Sequence, residues 1–185
     1  MEVLYNMKAT GIVRRIDDLG RVVVPKEIRK TLRIKEGDPL EIFTARDGEV
    51  ILKKYSPMGE LNEFAQTYAE SLGEVFGYGV VITDSDSIIA VSKISKKDYK
   101  EKNISSDLEE FISNRNTKYL EGNEMISLHR DDPGEYSAQY IVPIISDSGD
   151  CIGAIVLLSK DEDASLVNEE KSLKIAANFL GKQVQ

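Results

Sequence analysis

The stretch that decides the fold covers residues 10–32, TGIVRRIDDLGRVVVPKEIRKTL. Two short apolar segments, Gly11-Ile12-Val13 and Arg21-Val22-Val23-Val24, flank Asp17-Asp18-Leu19-Gly20. β-Branched residues favour extended backbone, and Asp and Gly favour a turn between two strands. Pro25 ends the second segment. It suits the first turn of a helix, where an N–H would have no intrahelical acceptor. Glu27 follows at the positive end of the helix dipole. Ile28 and Leu32, with Thr31, give a brief apolar face. Arg29, Lys30 and Arg33 lie on the other side or near the C-terminal end, where cations are favoured. Lys35-Glu36-Gly37-Asp38 is expected to stop the helix.

Two more strands follow. Leu40, Ile42 and Phe43 precede Arg46-Asp47-Gly48, and Val50, Ile51 and Leu52 come after it. Asp-Gly supplies the positive φ of a type I′ turn, so a hairpin is expected. The unit over residues 7–54 therefore reads β-β-α-β-β. It spans only 48 residues, too few to bury much apolar surface alone. No disulfide or metal is available to staple it. Its size points to an intertwined dimer with strands contributed by both chains.

Charge is unevenly placed. The net charge of the 185 residues is -8, yet residues 7–54 hold 12 Lys+Arg against 8 Asp+Glu. Within them, residues 7–35 hold 9 basic and 3 acidic side chains, whereas residues 55–185 hold 12 and 23. Such asymmetry points to a nucleic-acid-binding module joined to an acidic one; a solvated basic rim is the competing reading. Residues 1–6 carry no pattern, and Met7-Lys8 is an equally plausible start.

A linker is expected at residues 56–59, where a proline, a glycine and a change of charge sign coincide. A helix is expected from Glu60 to Val75, with Leu61, Phe64, Tyr68, Leu72 and Val75 as its apolar stripe. Val80-Val81-Ile82-Thr83 and Ile88-Ile89-Ala90-Val91 flank Asp84-Ser85-Asp86-Ser87 as a second hairpin. A polar region follows, with a helix over residues 107–115 and a short strand at Met125 to Leu128. Residues 140–145 and 151–158 form a third hairpin around Ser146-Asp147-Ser148-Gly149-Asp150. A last helix, residues 164–183, carries Leu166, Leu173, Ala176, Ala177 and Leu180.

Several chemistries are excluded or disfavoured. No apolar run approaches the ~20 residues of a membrane-spanning helix. The N-terminus has no apolar core of secretory length, so a cytoplasmic protein is expected. A single cysteine, Cys151, rules out an internal disulfide framework and reads as a small buried hydrophobe. His129, the one histidine, reads as a surface loop residue. Asp84-Ser85-Asp86 lacks the glycine and distal glutamate of an EF-hand loop and reads as a turn. Asn103-Ile104-Ser105 matches a glycosylation acceptor, which has no meaning in the cytoplasm. No catalytic cluster is apparent, no enzyme activity is expected, and no cofactor is expected.

Residues 7–55 resemble the swapped-hairpin DNA-binding domain of the AbrB family of bacterial transition-state regulators. The resemblance rests on Thr10-Gly11-Ile12-Val13-Arg14, on Asp17 to Val24 with Leu19-Gly20-Arg21, and on Pro25, Glu27, Arg29-Lys30-Thr31-Leu32 and Gly37-Asp38. Residues 60–185 resemble a GAF sensor domain, most clearly at Val142-Pro143-Ile144 and from Gly149 through Gly153-Ala154-Ile155-Val156-Leu157. The fold class implied is α+β: an N-terminal swapped-hairpin, β-rich dimer and a C-terminal GAF-like α/β sandwich. The pairing resembles that of sporulation regulators of spore-forming bacteria.

The resemblance implies a transcription regulator that contacts double-stranded DNA through basic loops and helix ends of a homodimer. The family's key positions fall on Arg14, Arg21, Arg29 and Lys30, with Lys8 and Arg15 as supporting charges. Lys neutralises a phosphate but lacks the planar fork that Arg offers guanine. Lys30 is therefore assigned to phosphate, and Arg14, Arg21 and Arg29 to base or groove contacts. The second domain is expected to join dimers into a homotetramer and to take an unidentified small-molecule effector. Two rivals stand beside this reading: a MazE-type antitoxin sharing the small fold, and a small-molecule receptor with an incidental basic head.

Overall fold

The structure, a computed structural model, describes residues 10–46, 48–56, 58, 61–161 and 165–184. Its internal contacts divide the chain into two units, Met1–Pro39 and Leu40–Gln185. The expectations about residues 1–6 and Lys8, about Asp47 in the first hairpin turn, and about Pro57, Gly59, Glu60 and Ala164 fall outside the described residues.

In the first unit the expected turn forms but the expected strands do not. Asp17 N–H donates to the Arg21 carbonyl at 3.0 Å and Gly20 N–H to the Asp17 carbonyl at 3.0 Å. Residues 11–16 and 21–25 run on from this turn without forming a ladder among the described residues of the chain. Their backbone groups find too few partners within one copy of the sequence, so β-branched propensity alone does not make a strand. Helix α1 spans Lys26–Thr31 behind Pro25. It stops earlier than expected. Arg33 takes a left-handed φ of 53°, and the N–H of Ile34 reaches back to the Arg29 carbonyl at 2.8 Å, a Schellman closure made without glycine.

The second unit begins with an antiparallel hairpin, β1 (Leu40–Thr44) and β2 (Val50–Lys54), in register Ile42↔Leu52. Helix α2 (Asn62–Phe76) follows. A five-stranded antiparallel sheet then forms from β3 (Gly79–Asp84), β4 (Ile88–Ser92), β5 (Lys118–Glu121), β6 (Ala138–Ile145) and β7 (Cys151–Ser159), in the order β4-β3-β7-β6-β5. Helices α3 (Lys96–Tyr99) and α4 (Ser106–Ser113) lie in the long connection, and α5 (Glu170–Gln183) closes the chain after a 3-10 turn at Leu166–Glu169. Ser105 caps α4, its side chain accepting from the Leu108 N–H.

Alternation along each strand splits the core between two faces. Val80, Ile82, Ile155 and Leu157 pack with α2 and α5; Val81, Val156 and Leu158 pack with Tyr99, Leu108 and Ile112 on the other side. This explains why β3 and β7 read as nearly continuous apolar runs: both faces are covered. Of the expected stripe, Tyr68 and Leu72 pack half-buried against the core, but the fully buried positions of α2 are Ala65, Ala69 and Gly73, and Phe64 and Val75 remain exposed. Small side chains let the helix approach the sheet closely. On α5 the expected Leu173, Ala176, Ala177 and Leu180 are buried.

Two further expectations are corrected. The strand on the far edge is Lys118–Glu121, paired with β6, rather than Met125 to Leu128. Register against β6 decides it, not local apolar content. His129 is buried at 2% exposure instead of lying on the surface. Asp132 draws its loop inward by accepting from the Leu128 N–H at 2.6 Å and from the Tyr99 hydroxyl at 2.6 Å.

Gly153 lies on β7 opposite Asp84 of β3, and a Cβ there would meet the Thr83 carbonyl oxygen. Gly153→Ala must displace backbone, so it is expected to destabilise the chain by about 3 kcal/mol and lower the melting temperature by roughly 6–12 °C. Calorimetric melting of the two proteins checks this, and equal melting temperatures would refute the close packing.

Candidate nucleic-acid interface

The expected readers are carried by the turn and by the helix that follows it. Asp17 organises the turn through both carboxylate oxygens. Oδ1 accepts from the N–H of Leu19 at 3.0 Å and of Arg21 at 2.8 Å; Oδ2 pairs with Arg21 Nε at 2.8 Å. Gly20 completes it with a φ of 77°, which an L side chain adopts only under strain. The N–H groups of Arg21, first its backbone and then its guanidinium, hold the Asp17 carboxyl below its ordinary pKa. The carboxylate therefore stays charged, and it holds the Nε edge of Arg21. The outer guanidinium nitrogens stay open to solvent, since the Arg21 side chain is 70% exposed. Sequence reasoning placed Asp17 in the turn but missed this pairing; the signal was the i, i+4 spacing of Asp17 and Arg21.

Arg14 and Arg15 are exposed on the arm that enters the turn. Arg29 is half-buried and Lys30 exposed on α1, whose Thr31 hydroxyl bonds back to the Glu27 carbonyl at 2.9 Å. Among the described residues no carboxylate pairs with Arg14, Arg15, Arg29 or Lys30. Lys8 lies outside the described residues. The arrangement offers one pinned and several unpaired cations on short, exposed backbone, the chemistry that neutralises phosphates and reads base edges.

The same segment shows its apolar side chains to solvent. Val13 is 85% exposed, Leu19 71% and Val23 70%, and none of the described residues 10–39 is buried. In the second unit, Ile42, Val50 and Leu52 line one exposed face of the β1–β2 hairpin. Two polar contacts tie the end of that hairpin to the β3–β4 turn. Lys54 Nζ lies 2.7 Å from Asp86 Oδ2, and the Ser56 hydroxyl donates to Asp84 Oδ2 at 2.8 Å. Asp84 Oδ1 accepts from the N–H groups of Asp86 and Ser87, so the Asp84-Ser85-Asp86 motif is a turn, as expected. Among the described residues no group of His, Cys, Asp and Glu could hold a metal ion. Burial pushes the Cys151 thiol up, away from nucleophilic chemistry. Among the described residues no helix is long and apolar enough to cross a membrane.

Comparison with known proteins bears on both halves. The family model described as "Stage V sporulation protein T C-terminal, transcription factor" matches residues 60–185. The model described as "Antidote-toxin recognition MazE, bacterial antitoxin" matches residues 13–60. Stage V sporulation protein T of Bacillus subtilis is 52% identical over 179 residues, covering 97% of this chain and 99% of that protein. The transition state regulatory protein AbrB of the same organism is 61% identical over 51 residues, 28% of this chain and 52% of that protein. The GAF domain of an Acinetobacter phosphoenolpyruvate-protein phosphotransferase superposes with a TM-score of 0.55 at 14% identity, over 65% of this chain and 80% of that one. The last shows fold alone, and it is the α+β, GAF-like fold expected for the second half. With one family model across the second half and a relative matched along nearly its full length, the chain belongs to the stage V sporulation protein T family of transcription factors.

Proposed function

We propose that this sporulation transcription factor acts in the cytoplasm and binds double-stranded promoter DNA through an interlocked N-terminal homodimer. The domains are residues 7–55 for DNA binding and 60–185 for regulation and assembly, with 56–59 between them. The observation that carries the reading is the exposure of Ile12, Val13, Ile16, Leu19, Val22 and Val23 beside a surplus of cations. A patch of that kind is covered by something, and an identical segment supplies matching strands as well as apolar surface. Interlocking two copies repeats Arg14, Arg21 and Arg29 along the duplex. The similarity to AbrB over 51 residues supports the same reading. The antitoxin alternative is not favoured, because the near-full-length relative is a sporulation protein.

The second domain joins dimers into a homotetramer and senses a small-molecule effector. The face that α2 and α5 leave uncovered supports the first role. Phe64, Tyr68 and Phe179 form an aromatic cluster with ring centroids 5.5 to 6.0 Å apart. Phe179 is 42% exposed, and Ile175 is exposed beside it. Stacked aromatics on a pair of helices are a natural contact for the same pair in a second subunit. Joining two DNA-binding dimers raises effective concentration, so weak sites are held by avidity.

Three measurements test these roles. Arg14→Ala and Arg21→Ala should each weaken promoter binding by about 1–3 kcal/mol, and Lys30→Ala should lower the slope of log K against log salt by about 1 per lost contact. Fluorescence anisotropy across a salt series reads both effects; unaltered binding by the arginine variants sinks the interface. Asp17→Asn should free Arg21 and weaken binding with it. Because the folded-state carboxyl titrates below its ordinary value, it stabilises the turn above the unfolded carboxylate pKa, and that contribution is lost as pH falls through the lowered one. The amide resonances of Leu19 and Arg21 should report that transition, and a titration at the ordinary carboxylate pKa would contradict the pairing. Phe179→Ser should convert tetramer to dimer in sedimentation while the chain stays folded; an unchanged tetramer would place the contact elsewhere.

A further inference from the structure

Residues 56–59 have the composition of a linker, yet the chain is fastened there at every second residue. Lys54 Nζ reaches Asp86 Oδ2 at 2.7 Å and Oδ1 at 2.9 Å. The Ser56 hydroxyl donates to Asp84 Oδ2 at 2.8 Å. Met58 is fully buried in the core with Ala65 and Ala69 of α2. Alternation of this kind is that of extended backbone, which turns residues two apart to one side. Lys54, Ser56 and Met58 therefore form a row of anchors against the second domain. The ion pair is largely shielded from water, its side chains being 18% and 27% exposed. A pair of fully exposed charges contributes little, whereas a shielded, charge-assisted hydrogen bond is stronger and fixes direction.

The grip falls at the open end of the hairpin. Lys54 faces Leu40 across the β1–β2 ladder, and Leu40 is the residue at which the second unit begins. The hairpin thus belongs by sequence to the DNA-binding domain and by its contacts to the second unit. The turn that holds it is itself braced. Asp84, 6% exposed, accepts from the N–H of Asp86 at 2.8 Å and of Ser87 at 2.6 Å on Oδ1, which leaves Oδ2 to Ser56. The Asp86 carbonyl accepts from the Ile104 N–H, and the Ile88 N–H donates to the Lys102 carbonyl, each at 2.9 Å. The Ser105 N–H donates in turn to the Leu128 carbonyl at 2.9 Å. A turn hydrogen-bonded to neighbouring segments in this way resists local opening and makes a firm seat for the hairpin.

We propose that Lys54, Ser56, Asp84 and Asp86 are positioning residues for promoter binding. They act through the hairpin rather than on DNA. They hold β1–β2 at a fixed angle on the second domain, so two DNA-binding heads joined in one assembly keep a set spacing and rotational phase along the duplex. A flexible tether would let each head find its site at any phase. Burial of Met58 alone is non-directional and would not set that angle. This role rests on the assembly part of the proposed function.

The test uses the full chain and promoter fragments carrying two binding sites, with about five or about ten base pairs inserted between them, roughly half and one turn of the duplex. For the wild type the shorter insertion should weaken binding about tenfold or more relative to the longer one. The double variant Lys54→Met with Ser56→Ala leaves the turn's own bonds intact. It should bind the two fragments within about twofold of each other and a single-site fragment as the wild type does. Lys54→Arg, which keeps the ion pair, should keep the phase dependence; Lys54→Met alone serves if the double variant fails to fold. Chymotrypsin should cut after Tyr55, half-buried between the anchors, about tenfold faster in the double variant, which reads release of the segment without DNA. Equal cleavage, or a phase dependence that survives in the double variant, overturns the proposal. So does a loss of single-site affinity, which would make Lys54 a phosphate contact. Sedimentation separates the two roles: a wild-type tetramer without phase dependence sinks positioning alone, whereas a wild type that is only dimeric sinks assembly and the spacing role with it.

Discussion

Apolar surface in the N-terminal segment has nowhere to go within one chain, and the rest of the molecule answers that constraint. None of the described residues 10–39 is buried, although Ile12, Val13, Ile16, Val22 and Val23 are strand-forming side chains. A segment this short cannot fold back on itself far enough to cover them. In the proposed dimer the second copy supplies both the missing apolar surface and the missing strand partners. The cations of the turn then become parts of one rigid, repeated surface instead of ends of a loose arm. What the single chain does settle is local. Asp17, through three hydrogen bonds, sets the turn and the angle of Arg21 before any partner is present.

The second domain meets its constraint in the opposite way. Its sheet is covered on both faces, and its helices come close because small residues stand at the contacts. Ala65, Ala69 and Gly73 bring α2 onto the sheet, and Gly153 and Gly181 occupy points where a Cβ would meet backbone. Packing of that kind leaves the larger side chains Phe64, Phe179 and Ile175 facing outward. An outward aromatic face is a cost for a lone subunit and an asset for an assembly. Charge divides along the same line: residues 7–54 carry a surplus of cations, which attracts polyanions, and residues 55–185 a surplus of acidic side chains, which repels them.

The hairpin β1–β2 and the β3–β4 turn meet through Lys54–Asp86 and Ser56–Asp84. Asp84 and Asp86 also shape the turn itself, so the anchor and the structure it grips share the same carboxylates. A polar tie of this sort positions a hairpin without committing apolar surface, which leaves Ile42, Val50 and Leu52 exposed.

Much of this was legible in the sequence. The Asp17–Gly20 turn, Pro25 at the helix start, the hairpins around Asp84 and Gly149 and the buried face of α5 follow from local rules of turn chemistry and periodicity. Local rules failed where a contact distant in sequence decides. The edge strand is Lys118–Glu121 because it lies in register with β6. His129 is buried because Asp132 and Tyr99 hold its loop inward. The fully buried positions of α2 are its small residues, with Tyr68 and Leu72 packed beside them, since close fit to the sheet limits side-chain size at the contact. Residues 11–13 and 21–24 keep strand composition without a strand, because a ladder needs a second edge that one chain does not supply. The sequence by itself determined the turns, the start of α1 at Pro25 and the division of charge; only the tertiary structure decided the edge strand Lys118–Glu121 and the burial of His129, because both depend on contacts between residues that no local pattern encodes.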